Sequence, residues 1–395
     1  MSRAKNGHLS RREFLHTTVG VVGAGVAGPS LWAAQTTPRK PLLPAGVLGR
    51  TRYPATLVSF GAILISERQG TRVLKAAIDA GINLVHTSAT YVRGRSIAAI
   101  GDLFKADRTY REKVLLCLKS FTPDKDAELD GMLATLGTDH TDVLLSTMDE
   151  PNPARLETIQ RAQERLRKAG KIRYTGFVCH GDMNGVCEMV LDKAPRFFDA
   201  ALLSTVMVPA PAGKAHSATA KSEQFIRNLR ALRRNGVGVL SMKSGAREAL
   251  TRGPQVFQAH VKAILEAGAD TVLTSISTVD QVEMVRKLDL RSPASSPAER
   301  QTAAEFHQSR AGACLMCGDC RKACPRGVPV NDLMRIRMYH QEYGWLDHAR
   351  DEFALLGPHV RDLVAGCGDC TACAHACPVG LAGAGAIRGI VEALA

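Results

Sequence analysis

Eleven cysteines stand in the 395-residue chain, and eight of them fall into one spacing used twice. Cys314, Cys317, Cys320 and Cys324 are followed by Pro325, and Cys367, Cys370, Cys373 and Cys377 by Pro378. Three thiolates with two residues between neighbours can wrap one iron–sulfur cubane, while the fourth, just before a proline, reaches the other cluster. The chemistry would be one-electron transfer through two [4Fe-4S] clusters. Cys314, Cys317, Cys320 and Cys377 would then hold one cluster, and Cys367, Cys370, Cys373 and Cys324 the other. Disulfides compete with this reading in an oxidising compartment. Zinc competes as well, although zinc sites favour paired C-x-x-C knuckles, often with a His, over a fourfold run.

The repeated run resembles that of bacterial ferredoxins. The stretch between the two runs, VNDLMRIRMYHQEYGWLDHARDEFALL, reads as helical and is longer than the link in compact hairpin ferredoxins. A mainly helical, ferredoxin-type dicluster domain over residues 300–395 is therefore expected, joined to what precedes it by the Pro/Ser-rich linker RSPASSPAER.

What precedes it alternates strand and helix. From about residue 44 to 290 the β-branched runs TLVSFGAI, NLVHTS, KVLLCLK, TDVLLST, IRYTGFVC, DAALLSTV, VGVLSMK and TVLTSI alternate with amphipathic helical windows. Several of those windows end in glycine (Gly81, Gly137, Gly170, Gly236, Gly268), the residue suited to a left-handed C-cap. Eight such pairs predict an α/β fold, a (β/α)8 TIM barrel over residues 41–292, with functional groups at the C-terminal ends of its strands. A doubly wound sheet is the alternative, but SFGAILISERQG is not the Gly-rich loop it would carry after its first strand. Cys117 reads as core packing, Cys187 as a helix residue and Cys179 as a candidate for the barrel mouth.

At GINLVHTSATYVRGRS followed by KVLLCLK the chain resembles the aldo/keto reductase superfamily, over the whole barrel segment. The resemblance implies an oxidoreductase in which Tyr91 gives a proton and Lys119 lowers its pKa. It places His86 where the family has an aspartate and Thr147 where it has a histidine. A phenol titrates near 10, so a neighbouring cation is what makes proton transfer easier. His86 is a further candidate acid, or a barrel-mouth histidine held by a hydrogen bond. For NAD(P) the resemblance offers Ser277, near a helix N-terminus suited to phosphate, and Lys243 after the seventh strand. The usual carboxamide contacts are replaced by Val178, Cys179 and Leu202.

The N-terminus reads as an address. Arg11-Arg12, with Ser10 before and Phe14-Leu15 after, precedes a weakly apolar Gly/Ala-rich stretch, and resembles a twin-arginine translocation signal over residues 1–40. Export to the periplasm or the outer face of the cytoplasmic membrane follows, through the twin-arginine machinery; an uncleaved signal would act as a membrane tether. The net charge of +13 is scattered over helix faces with few aromatics between, a pattern of solvated faces and not of a nucleic-acid surface. The leading expectation is an exported iron–sulfur oxidoreductase whose clusters relay electrons between a redox partner and a small-molecule substrate at the barrel mouth. The alternatives are an electron carrier with a catalytically silent barrel, and an NAD(P)H-dependent carbonyl reductase with structural clusters.

Overall fold

The computed structural model describes residues 41–208, 216–292, 294–310 and 313–394. The twin-arginine segment lies outside the described residues. Ten strands are present among them: Ala45–Leu48 (β1), Tyr53–Thr56 (β2), Val58–Gly61 (β3), Leu84–Ser88 (β4), Leu115–Ser120 (β5), Thr141–Thr147 (β6), Ile172–Cys179 (β7), Ala200–Ser204 (β8), Gly238–Met242 (β9) and Thr271–Thr274 (β10). Strands β3 to β10 close into a parallel barrel in sequential order, with β10 pairing β3. These are the eight expected strands. Sequence reasoning missed the antiparallel β1–β2 hairpin before them.

Alternation along each strand decides what enters the barrel. Leu84, Leu115, Cys117, Val143, Leu145, Val178, Leu202, Leu240 and Leu273 form the interior cluster, joined by Leu48 and Ala55 of the hairpin. Their neighbours face the surrounding helices and a separate apolar layer. Side chains two residues apart share a face, so His86 follows Leu84 inward and Lys119 follows Cys117. Cys179 belongs to the outer layer, fully buried, one residue beyond inward-facing Val178. It therefore does not line the mouth, contrary to expectation.

Helices anchor to the barrel through specific polar contacts. Pro153–Lys168 starts on Asn152, whose side chain accepts from the Arg155 N–H at 3.0 Å, with proline in its first turn. Its Gln163 is fully buried, donates to the Gly176 carbonyl at 2.7 Å and accepts from the Gly176 N–H at 3.0 Å. A buried amide with both ends satisfied holds helix and strand in one register. The five glycines expected at helix ends all have positive φ, from 68° at Gly137 to 126° at Gly268.

The described residues pack as one compact unit. Part of the expected linker opens the helix Pro297–Ser309, where Ser296 and Glu299 form a capping box. That helix packs on Pro254–Ala267 through a His260–His307 hydrogen bond of 2.8 Å and a Lys262–Glu299 ion pair of 2.8 Å. Beyond it, the short helices Asp319–Lys322, Val330–Arg337, Leu346–Leu355, His359–Ala365, Ala372–Ala376 and Ala384–Leu394 build the C-terminal module. Ion pairs dock it on the barrel: Lys322 to Asp182 at 2.6 Å, Lys221 to Asp319 at 2.9 Å and Arg93 to Asp351 at 2.7 Å. Among the described residues no helix is long and apolar enough to cross a membrane.

Candidate active site and cysteine centres

The strand ends bring three expected residues to one place. His86 is 3% exposed, Lys119 3% and Tyr91 8%. His86 and Tyr91 stand edge to face with ring centroids 5.8 Å apart, and the Lys119 Nζ lies 5.1 Å from the centre of the Tyr91 ring. Lys119 thus covers the ring face, a cation–π placement. The expected lowering of the Tyr91 pKa is absent: burial pushes its phenol well above the usual value, and Tyr339 and Glu352 add to the rise. Burial brings Lys119 down to about 8 against the pull of Glu352. Burial, with the charge of nearby Lys119 adding to it, brings His86 down to about 3, so its imidazole is neutral at pH 7. Its Nε2 is buried without a hydrogen-bond partner.

Backbone strain gathers around the same mouth. Val92 (φ 51°), Arg93 (φ 53°) and Lys243 (φ 52°) are three of the six non-glycine residues at positive φ among the described residues. A β-branched residue such as Val92 is a genuine outlier there, and such outliers concentrate at functional sites. Gly245, at φ 99°, leaves room for Arg310: a Cβ would lie 2.3 Å from its Nη1. Arg310 uses that nitrogen to bond the Ser244 carbonyl at 2.7 Å.

Several mouth residues escaped the sequence reading. Asp149, just past β6, accepts from the His180 N–H at 2.7 Å, and His180 Nδ1 lies 3.5 Å from the same carboxylate oxygen. Burial brings His180 down to about 4 despite the carboxylate. Burial would raise Asp149, but the hydrogen bonds and charge of His180 outweigh it and hold the acid at about 2. The rest of the mouth comes from the C-terminal module. Arg335 pairs with Asp332 at 3.1 Å and Glu352 at 2.5 Å, and His348 Nε2 is 3.9 Å from Glu352. Tyr339 meets His348 edge to face at 4.5 Å, stacks on Trp345 at 6.1 Å, and accepts a hydrogen bond from Lys243. Burial lowers Lys243 to about 7. Barrel and module together enclose a cavity of about 260 Å³, lined by His86, Tyr91, Lys243 and Arg247 from one side and Tyr339, Tyr343 and Trp345 from the other.

The eight cysteines form two quartets. Cys314, Cys317, Cys320 and Cys377 line one cavity, together with Met316, Asn331 and Met334. Cys324, Cys367, Cys370 and Cys373 line a second, with Arg326 and Val330. The first lies against the barrel: Ser204 Oγ, at the end of β8, donates to Met316 Sδ at 3.4 Å. Burial pushes Cys314 up to about 11 and Cys317 to about 12, and raises Cys320 further. Cys367 and Cys373 are also raised by burial. Thiols so placed become thiolates only beside strong positive charge, which bound iron supplies. Asn331 adds a buried side-chain oxygen without a partner at the first cavity. Among the described residues no three His, Cys, Asp or Glu side chains close on a single metal ion. The donor set fits iron–sulfur clusters.

A nicotinamide dinucleotide fits poorly. Lys243 lines the mouth cavity and donates to Tyr339, whereas the N–H and hydroxyl of Ser277 are both taken by Gln281 Oε1, at 2.8 and 3.3 Å. Ser277 does not line the mouth cavity.

Comparison with known proteins agrees with the architecture. Residues 59–250 match the model of the aldo/keto reductase family. The chain carries an aldo/keto reductase domain. Residues 313–382 match a 4Fe-4S dicluster domain, which supports iron–sulfur clusters here. A solved aldo-keto reductase of Bacillus halodurans, in its holo form, is similar at 17% identity and a TM-score of 0.53, over 67% of this chain and 96% of that one. An aldo/keto reductase of Klebsiella pneumoniae, solved with NADP and acetate, is similar at 16% identity and a TM-score of 0.50, over 67% and 96%. At these identities the likeness establishes the fold. No curated protein matches the sequence. The family match indicates an oxidoreductase.

Proposed function

We propose that this oxidoreductase converts a small carbonyl-type substrate at the barrel mouth, with electrons exchanged through the C-terminal module in place of a nicotinamide. One observation carries the reading: the module roofs the mouth and shares its cavity. The helix Val330–Arg337 presents Asn331 and Met334 to the first cysteine cavity and Arg335 to the network beside Lys119. Cys314, Cys317, Cys320 and Cys377 would hold one [4Fe-4S] cluster, and Cys324, Cys367, Cys370 and Cys373 the other. When bound, such clusters supply one-electron transfer.

Reduction of a carbonyl to an alcohol takes up two electrons and two protons. The chain's own groups handle the protons. The Tyr91 and Tyr339 hydroxyls are held protonated by burial, and both residues line the cavity. Lys243, near 7, bonds Tyr339 and can restore its proton. His86 is a neutral imidazole that can position a substrate oxygen or proton.

The decisive test uses anaerobic holoprotein with chemically reduced clusters. Mixing with carbonyl compounds should reoxidise the clusters, while NADH and NADPH should neither bind nor reduce them. Rapid cluster reduction by NADPH would restore the nicotinamide reading. About eight iron and eight sulfide per chain are expected. Stoichiometric zinc in place of iron would defeat the cluster assignment.

The twin arginines carry the export part of the proposal. Ferredoxin-type clusters are built in the reducing cytoplasm, so a route for folded protein suits them. Replacing Arg11 and Arg12 with Lys should leave the protein cytoplasmic on fractionation; export of the variant would overturn this.

A further inference from the structure

We propose that the mouth cavity binds a small planar monocarboxylate, its conjugated arm lying among Tyr91, Tyr339 and Trp345 and its carboxylate met by Arg247 and Lys243. This rests on the reading of the mouth as the reaction chamber and names what enters it.

The charge balance of the wall points to an anion. Two carboxylates border the cavity, and both are met by other arginines: Glu248 by Arg252 at 2.6 Å and Arg310 at 2.9 Å, Glu342 by Arg337 at 3.7 Å. The two cations on the same wall have no such answer. Among the described residues neither Arg247 nor Lys243 makes an ion pair; the Lys243 hydrogen bond goes to the neutral Tyr339 hydroxyl. Arg247 Nη1 is buried without a partner, and its guanidinium carbon stands 5.6 Å from the Trp345 ring centre. A guanidinium with an unused N–H in a half-dry wall is a carboxylate receptor awaiting its ligand. His86, 3% exposed, adds the unpartnered Nε2 on the same cavity, suited to a second oxygen.

Shape narrows the class further. Tyr339 and Trp345 lie within 12° of parallel, and Tyr91 adds a third ring to the lining, so flat, conjugated molecules gain most. Size limits it as well. A cavity of about 150 Å³ holds benzene, so about 260 Å³ holds roughly ten non-hydrogen atoms: one ring or conjugated chain with a carboxylate and an oxo group.

Calorimetric titration of the holoprotein at pH 7 with benzoate and with benzamide tests this without turnover. Benzoate should bind about ten- to a hundredfold more tightly than benzamide, the worth of one charge-assisted hydrogen bond. Arg247→Gln should cut that preference severalfold, to what Lys243 alone supplies, while both cluster spectra remain, and Arg247→Lys should keep more of it. Equal binding of the two probes, no binding of benzoate, or a preference undiminished by Arg247→Gln would overturn the proposal. Electron exchange with the clusters is measured separately, so failure of the relay leaves this result readable, and failure here leaves the relay standing.

Discussion

The two halves of the mouth are built on different principles. The barrel half places single residues at strand ends, with His86, Lys119 and Thr147 each fixed by the pleat and the register of its neighbours. The module half is a network in which Asp332, Arg335, Glu352, His348 and Tyr339 hold one another. Strand β4 carries His86 and no carboxylate, yet Lys119 feels a nearby acid, Glu352, brought in by the module. The difference teaches that this site spans two parts of the chain, and that neither part carries a full complement of proton-handling groups.

The largest expected effect is on turnover. Tyr91→Phe should abolish conversion of a carbonyl substrate while both cluster signals persist. If Tyr339→Phe does so instead, the proton donor belongs to the module and the balance between the halves is reversed. His86→Ala should cost about 10²–10⁴-fold, the range of one acid–base group, in steady-state assays on whichever substrate reoxidises the clusters.

Next comes the module network. Arg335→Met leaves Glu352, 5% exposed, without its guanidinium. Breaking a buried pair on one side costs about 3–5 kcal/mol, readable as a drop in the denaturation midpoint. Adding Glu352→Gln should recover most of it. A loss unchanged by the second substitution would mean that packing, not charge, holds the roof.

Acid should act on both halves. Burial keeps His86 and His307 near 3 and His348 near 4 in the fold, below the ordinary value of 6.5. An unfolded chain takes up protons at these residues below about pH 6.5 while the native one does not. Their neutral burial therefore costs nothing above that pH, and stability falls as the pH drops toward 4, by up to about 1.4 kcal/mol per group per unit. The melting temperature followed by circular dichroism should fall from pH 7 to 5. A flat profile would place these imidazoles in water. Smallest is the seam: Lys322→Ala removes the exposed lysine from buried Asp182, which still accepts from the Gly185 N–H, and should cost about 1 kcal/mol in the same melt.

Legibility in the sequence divides along the same seam. Strand periodicity and glycine caps made the barrel readable, and cysteine spacing alone grouped the residues that now line two cavities. Asp149 and His180 carried an unused clue, since each stands just beyond a predicted strand end. Cys179 was misplaced because it borders the mouth in sequence, while inward-facing Val178 already fixes its side as outward. Tyr339, His348 and Glu352 had no local mark. In the sequence they are polar or aromatic positions on short helices, and only docking against the barrel gives them a role. The β1–β2 hairpin was equally silent: four-residue strands with Pro54 in one of them leave too short a pattern to register.

The exchange of cysteines between the two runs has a consequence for biosynthesis. Each cavity takes three walls from one end of the module and the fourth from the other, so Cys377 completes the first and Cys324 the second. The first cannot be finished on the ribosome before residue 377 has emerged, nor the second before residue 373, and each closure must gather a loop of about 40–60 residues. Any cluster assembly would thereby wait for the second cysteine run. A chain stalled between the two runs would expose thiols that cannot share a cluster, which makes arrival of the second run a checkpoint for maturation.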